Sequence, residues 1–223
     1  MKVFFERREE LATGIWQYYF RPERPVDFIP GQYLAVQLAS VQDDPRSSSR
    51  TFSLTSLPSE PSIRFVLKHF ELQTPYKHAL WHLQPGDEAR IGDAMGDLVL
   101  PKAADTPLVF IAGGIGIASY VSILQELTAR REERAIFLYY ALRSRGEQIF
   151  RELMSAYPLA LKSVIIAPNR LQAQEIIAST PPEALIYLSG SQRFVESLRA
   201  DLALLGKPHE QVIFDYFDGY TEL

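Results

Sequence analysis

In the first hundred residues, hydrophobic positions come in short runs that alternate with polar ones, the period of a half-buried strand. Residues 3–5, 14–20, 33–39, 51–55, 63–70, 88–91 and 98–100 read as strands on this pattern. Turn chemistry separates them: Pro30-Gly31, Asp43-Asp44-Pro45, Pro58-Ser59-Glu60-Pro61 and Pro85-Gly86-Asp87. Many short strands broken in this way predict an antiparallel barrel. One helix interrupts them. Thr74 can cap its N-terminus and Pro75 can take its first position, and it runs to about Leu83, before Pro85.

Beyond Pro101 the texture changes to strands alternating with helices. Strands are expected at 108–112, 135–141, 161–167, 184–189 and 212–214. Helices are expected at 117–130, 147–156 and 192–205, the last stopping near Gly206. This alternation predicts a doubly wound parallel sheet of Rossmann type. The polar, proline-flanked segment 101–107 marks the junction, which divides the chain into an N-terminal domain, 1–103, and a C-terminal α/β domain, 104–223.

Composition narrows the function classes. With 223 residues, 47% of them hydrophobic, the chain can build two cores. A net charge of −4 argues against nucleic acid as the main partner, because phosphate binding favours a basic surface. It leaves room for a redox partner at a local basic patch. The absence of cysteine excludes disulfides, thiol catalysis and Cys-ligated iron–sulfur clusters in this chain. No apolar run has the length of a membrane span, and the first ten residues are charged almost at once, unlike a signal peptide. A cytoplasmic protein is the expectation.

Two segments carry candidate chemistry. The strand at 108–112 leads into Gly113-Gly114-Ile115-Gly116 and then a helix. Glycines there permit a tight turn and close approach to a pyrophosphate, and the helix N-terminus offers free N–H groups. A strand-to-helix turn without a ligand has the same local pattern. The other segment is Arg50-Thr51-Phe52-Ser53. Its alternation also suits an ordinary barrel strand, but an arginine, an aromatic ring and a hydroxyl in sequence can pair a pyrophosphate, cover a flat ring and bond its edge. His78 and His82 stand one helical turn apart, without a third ligand to make a metal site, and no metal is expected.

The order and spacing of these segments resemble the ferredoxin–NADP⁺ reductase-like family of flavoprotein oxidoreductases over nearly the whole chain. Phe28-Ile29-Pro30-Gly31-Gln32-Tyr33, Gly96-Asp97-Leu98-Val99-Leu100-Pro101, Leu188-Ser189-Gly190 and the tail around Asp215-Tyr216-Phe217 add to the likeness. The resemblance implies an FAD-binding antiparallel barrel and an NAD(P)-binding α/β domain. Arg50 would neutralise the FAD pyrophosphate, with Thr51 beside it in the motif. Phe52 would pack on the isoalloxazine and Ser53 would bond near its reactive nitrogen. Val66 and Lys68 would lie along the cofactor, and Thr74 and Lys77 would form a second phosphate contact. Gly113, Gly114, Ile115 and Gly116 would cradle the nicotinamide nucleotide, which Gly190 would let approach closely. Asp215 and Phe217 would stand near the flavin, with Ser53 and Asp215 as the catalytic pair. The chain departs from the family at Phe52 (usually tyrosine), Ala118-Ser119 (often Thr-Pro), Ser189 (often cysteine) and Asp215 (often glutamate).

Arg143, Ser144 and Arg145 follow the second strand of the α/β half. Arginines and a hydroxyl there suit the 2′-phosphate of NADPH, although NADH and a plain solvated turn fit the same residues. The expected activity is FAD-dependent transfer of hydride from NAD(P)H and of electrons onward to ferredoxin, flavodoxin or a small-molecule acceptor. Two alternatives stay open: the reductase component of a multi-protein oxygenase or other electron chain, and a non-catalytic module that senses flavin or nucleotide.

Overall fold

A computed structural model describes residues 1–41, 48–69, 74–157, 161–167 and 169–217, with the backbone alone at 161–163 and 217. The expected turn at Asp43-Asp44-Pro45, the strand end at Phe70 and the tail aromatic Tyr220 lie outside the described residues.

The N-terminal half contributes β1 (Lys2–Ala12), β2 (Ile15–Pro22), β3 (Tyr33–Gln37), β4 (Ser49–Ser53), β5 (Ile63–Lys68) and β6 (Glu88–Ile91). They pair antiparallel in the order β4-β3-β6-β1-β2-β5. A bridge between Leu54 and Phe65 joins the two ends, and the Thr55 N–H donates to the Arg64 carbonyl at 2.8 Å beside it. The sheet is thereby closed into the expected barrel. Alternation sends Val3, Phe5, Tyr18, Phe20, Leu34, Val36 and Phe65 inward, all buried. The helix α1 (Pro75–His82) adds Tyr76 and Leu80 to this core, and the Tyr76 hydroxyl donates to the Val36 carbonyl at 2.9 Å.

The C-terminal half contributes β7 (Leu108–Gly113), β8 (Ile136–Leu142), β9 (Leu161–Ile166), β10 (Leu185–Ser191) and β11 (Val212–Phe217), all parallel, in the order β11-β10-β7-β8-β9. The helices are α2 (Ala118–Arg130), α3 (Arg151–Ala156), α4 (Ala173–Ser179) and α5 (Gln192–Leu204). Strand alternation separates two cores. Leu108, Phe110 and Ala112 face α2 and α3, while Val109 and Ile111 face α4 and α5. Chain order reverses direction between β7 and β10, and an open parallel sheet offers a ligand crevice at that point, beyond the carboxyl ends of its strands.

Three elements differ from the sequence reading. Residues 98–100 join no ladder among the described residues; Leu98 is buried and the Val99 carbonyl accepts the Tyr187 hydroxyl at 2.8 Å. The helix expected from 147 begins only at Arg151, because Phe150 takes the left-handed conformation at φ 57° and interrupts it. The helix α4 was not foreseen. Ala173 and Ile176 are its buried residues, too few to show a period.

The two halves meet along the first turns of α2. Barrel residues Ile15, Val66 and Leu98 share one apolar cluster with Phe110, Ile117, Tyr120 and Ile123. Ser119 and Ser122 on the same helix are buried as well. The Lys68 ammonium pairs with Glu147 across the junction at 2.6 Å. A helix buried on nearly every side, polar residues included, is one wedged between two domains.

Candidate functional site between barrel and sheet

The glycine turn lies at the switch point. The strand β7 ends at Gly113, a 3₁₀ turn covers Gly114–Ile117, and α2 follows directly. Gly114 has φ +56°, and a Cβ there would meet open space. Its neighbours are constrained by the protein itself. A Cβ on Gly116 would stand 2.3 Å from the Ser189 carbonyl oxygen. Cβ atoms on Gly113 and Gly190 would come within 2.7 and 2.9 Å of the Phe194 ring. Phe194, in the first turn of α5, therefore packs over both Gly113 and Gly190. Ile115 is partly buried against the interdomain core.

The Arg50–Ser53 segment forms β4. Arg50 donates to the Ser49 carbonyl at 2.7 Å and lies over the Tyr76 ring, its guanidinium carbon 5.1 Å from the centroid. Thr51 is exposed and Ser53 buried. Phe52 stacks on Phe65 with centroids 4.1 Å apart, so one face of its ring belongs to the barrel core and it reaches the site from the side.

A cleft of about 400 Å³ opens between the two halves. Tyr33, Thr51, Phe52 and Ser53 line it from the barrel, and Phe214, Asp215 and Tyr216 from β11. Phe214 and Tyr216 stack nearly parallel at 8°, and the Arg199 guanidinium lies over Phe214 at 3.6 Å. Parallel register sets Asp215 beside Ser189 and Tyr216 beside Gly190, so β10 connects the cleft to the glycine turn. Phe217 ends the same strand, but its side chain lies outside the described residues. Tyr33 is a cleft residue that sequence reasoning did not single out; its place after Pro30-Gly31-Gln32, pairing with Ser53 across β3 and β4, is the signal that could have found it.

The remaining expected residues cluster in two places. Thr74 caps α1, its hydroxyl accepting the Lys77 N–H at 3.3 Å. The Lys77 ammonium donates to the Lys68 carbonyl at 3.0 Å, which joins Thr74 and Lys77 to the end of β5, close to Val66. Arg143, Ser144 and Arg145 are exposed on the turn after β8, whose Ala141 pairs with Gly113. They thus share the carboxyl edge of the sheet with the glycine turn. The His78 and His82 ring centroids lie 4.2 Å apart with the rings tilted by 32°, and the His82 ring sits 2.8 Å from the His78 carbonyl. Among the described residues no three His, Asp or Glu side chains converge to hold a metal. No helix there is long and apolar enough to cross a membrane.

Burial shapes the tyrosines at the junction. The Tyr120 hydroxyl lies 2.9 Å from the Ile111 carbonyl and 2.8 Å from that of Tyr187, and burial holds it protonated far above its ordinary range. Tyr187 is pushed up to about 12, also by burial. Tyr120 ties α2 to the central strands, and Tyr187 ties β10 to the segment at Val99.

A closed antiparallel barrel, a parallel sheet with a glycine turn at its switch point, and a cleft between them define a two-domain architecture. The chain has this ferredoxin–NADP⁺ reductase-like fold. It superposes on ferredoxin-NADP⁺ reductase from Plasmodium falciparum with a TM-score of 0.80 at 15% identity, covering 97% of this chain and 95% of that one. It superposes on the flavohem-like FAD/NAD-binding domain of nitric oxide dioxygenase from Vibrio cholerae with a TM-score of 0.78 at 19% identity, covering 97% and 98%. In sequence it is 25% identical to a flavohemoprotein of Bacillus subtilis over 234 residues, covering 95% of this chain and 57% of the relative. It is 31% identical to the phenol hydroxylase P5 protein of Acinetobacter pittii over 157 residues, covering 67% of this chain and 42% of that protein. The chain spans at most 60% of the length of the first flavohemoproteins it matches. No protein-family model matches it.

Proposed function

We propose that the chain is an FAD-dependent NAD(P)H oxidoreductase that passes electrons to a further acceptor. The observation that carries this is the cleft, whose one wall is the Arg50–Ser53 strand and whose other wall is β11, which pairs with β10 beside the sheet's switch point. The residues fit a flat, polar-edged ring with a phosphate tail: aromatic walls, one buried hydroxyl at the edge, and cations at Arg50, Lys68 and Lys77. The fold likeness to FAD/NAD-binding domains supports the same reading.

When bound, FAD supplies the capacity to accept a hydride and release electrons, chemistry no side chain here has. The chain's residues bind and orient. Arg50 neutralises the FAD pyrophosphate, with Thr51 beside it, and Thr74 and Lys77 hold the other phosphate at the α1 N-terminus. Phe52 and Tyr33 border the ring, Ser53 bonds its edge, and Val66 and Lys68 line it with backbone. Gly113, Gly114, Ile115 and Gly116 receive the nucleotide pyrophosphate, Arg143, Ser144 and Arg145 take a 2′-phosphate, and Gly190 with Phe194 borders the nicotinamide. Asp215 offers a carboxylate at the cleft, with Phe217 at the end of its strand. In this reading the working units are residues 1–103 for flavin and 104–223 for nucleotide, and the protein acts in the cytoplasm.

The acceptor is proposed to lie outside residues 1–223. The matched flavohemoproteins are longer than it, and the phenol hydroxylase P5 protein belongs by name to an oxygenase system. This favours a reductase module that serves a haem, iron–sulfur or ferredoxin-like partner. The purified protein should show a flavin spectrum that bleaches on anaerobic addition of NADPH, and more slowly with NADH. Arg50→Ala should lose most of the flavin. A protein that binds flavin but never bleaches would leave the sensing module as the better reading.

A further inference from the structure

Three buried hydroxyls form a line across the junction. Ser53 Oγ lies 3.0 Å from Ser119 Oγ, which lies 3.0 Å from Ser189 Oγ. Ser53 is 3% exposed, Ser119 1% and Ser189 0%. Ser53 belongs to the barrel and lines the cleft; Ser119 opens α2; Ser189 lies on β10. Two of the three stand at positions where the chain departs from the family it resembles.

Each hydroxyl has one proton to donate and can accept twice. Among the described residues, the side-chain oxygens of Ser119 and Ser189 bond only within this line. If the protons pointed away from the cleft, Ser189 would hold a buried O–H with nothing to receive it, at a cost of about 1–3 kcal/mol. If Ser53 and Ser189 both donated to Ser119, the orphan proton would be on Ser119, at the same cost. One arrangement satisfies every buried proton: Ser189 donates to Ser119, Ser119 donates to Ser53, and Ser53 donates into the cleft.

We propose that Ser119 is a positioning residue that holds Ser53 as an obligate hydrogen-bond donor to an acceptor atom of the ring bound in the cleft. This rests on the flavin reading above. The reactive ring nitrogen of a flavin accepts a hydrogen bond when oxidised and carries a hydrogen when reduced. A fixed donor therefore favours the oxidised ring and lowers its reduction potential. A serine free to rotate would serve both states.

The test is the flavin midpoint potential of the wild-type protein and two variants. Ser119→Ala removes the proton donated into Ser53 Oγ, so Ser53 can turn its own proton to cleft water and accept from the reduced ring, which should raise the potential by about 30 mV, a tenfold shift of a two-electron equilibrium. Ser189→Ala should leave the potential near wild type, because Ser119 still has only Ser53 to donate to. An unchanged potential in Ser119→Ala, or an equal shift in Ser189→Ala, overturns the proposal. The line is also tested without cofactor, by thermal unfolding of the apoprotein. Ser53→Ala and Ser189→Ala, which share no direct bond, should be non-additive in the wild-type background and additive once Ser119 is alanine. Additivity in both backgrounds overturns the line itself. Absence of flavin with coupling intact would instead remove the flavin reading and leave the hydroxyl line standing.

Discussion

The Gly31 N–H donates to the Ser122 hydroxyl at 2.9 Å, a buried bond from a barrel turn to the helix that begins the nucleotide half. Gly31 has φ +100°, and a Cβ there would lie 1.8 Å from the Leu98 carbonyl oxygen and 2.9 Å from Ile123. The Pro30-Gly31 turn is therefore shaped by domain docking as much as by strand reversal. Gly31→Ala should destabilise the protein by about 3 kcal/mol or more, since both the backbone conformation and the packing oppose it. Thermal unfolding measures this, and a melting temperature equal to wild type would refute the docking role.

Gly114 and Gly116 should separate binding from folding. Gly114→Ala meets no atom and bears only the left-handed backbone penalty, about 1–2 kcal/mol. Its fold should survive while NADPH binding, followed by fluorescence titration, weakens. Gly116→Ala would drive a methyl into the Ser189 carbonyl and should lower stability much further. Equal loss of stability in both variants would contradict the division.

Lys68 and Glu147 tie β5 to the turn after β8 at 2.6 Å, with side chains 22% and 20% exposed. A double-mutant cycle with alanine at each position should give a coupling of about 1–2 kcal/mol. The coupling should persist at high salt, because partly buried pairs are weakly screened. A coupling near zero would remove this pair as a tie between the halves.

The Tyr18 hydroxyl and His69 Nε2 share a hydrogen bond of 2.6 Å, and His69 packs on Trp81. Burial first, then the charges of Lys77 and Arg8, lowers its pKa to about 4. The unfolded chain binds this proton from about pH 6.5 downward, whereas the folded chain resists it until about pH 4. Its contribution is therefore complete above pH 6.5 and declines as pH falls through that window. His69→Gln should flatten the fall in melting temperature between pH 6.5 and 4, and an unaltered slope would count against it.

Much of this was readable from local pattern. Alternation gave the strands around Val3, Leu34 and Phe65 and the antiparallel barrel, and the period change after Pro101 announced the parallel sheet, because both signals depend on neighbours in the chain. The glycine turn was legible as a turn. What was not legible is that Gly113 and Gly190 lie beneath Phe194 while Gly114 faces open space. Ser119 and Ser189 read as departures from a familiar motif; their link to Ser53 is a contact between residues 66 and 70 positions apart. Phe150 broke its helix by a left-handed backbone that no propensity for phenylalanine would suggest.

The walls of the cleft come from strands far apart in chain order, Tyr33 and Ser53 near its beginning and Asp215 in the eleventh strand. Domains fold largely as units during synthesis, N-terminal ones first. The barrel can then close on the ribosome with its half of the site already shaped, yet capture of a ring between two walls has to await β11. Capture of a ring is on this account possible only once β11 has joined the sheet, and until then a newly made barrel is half a clamp.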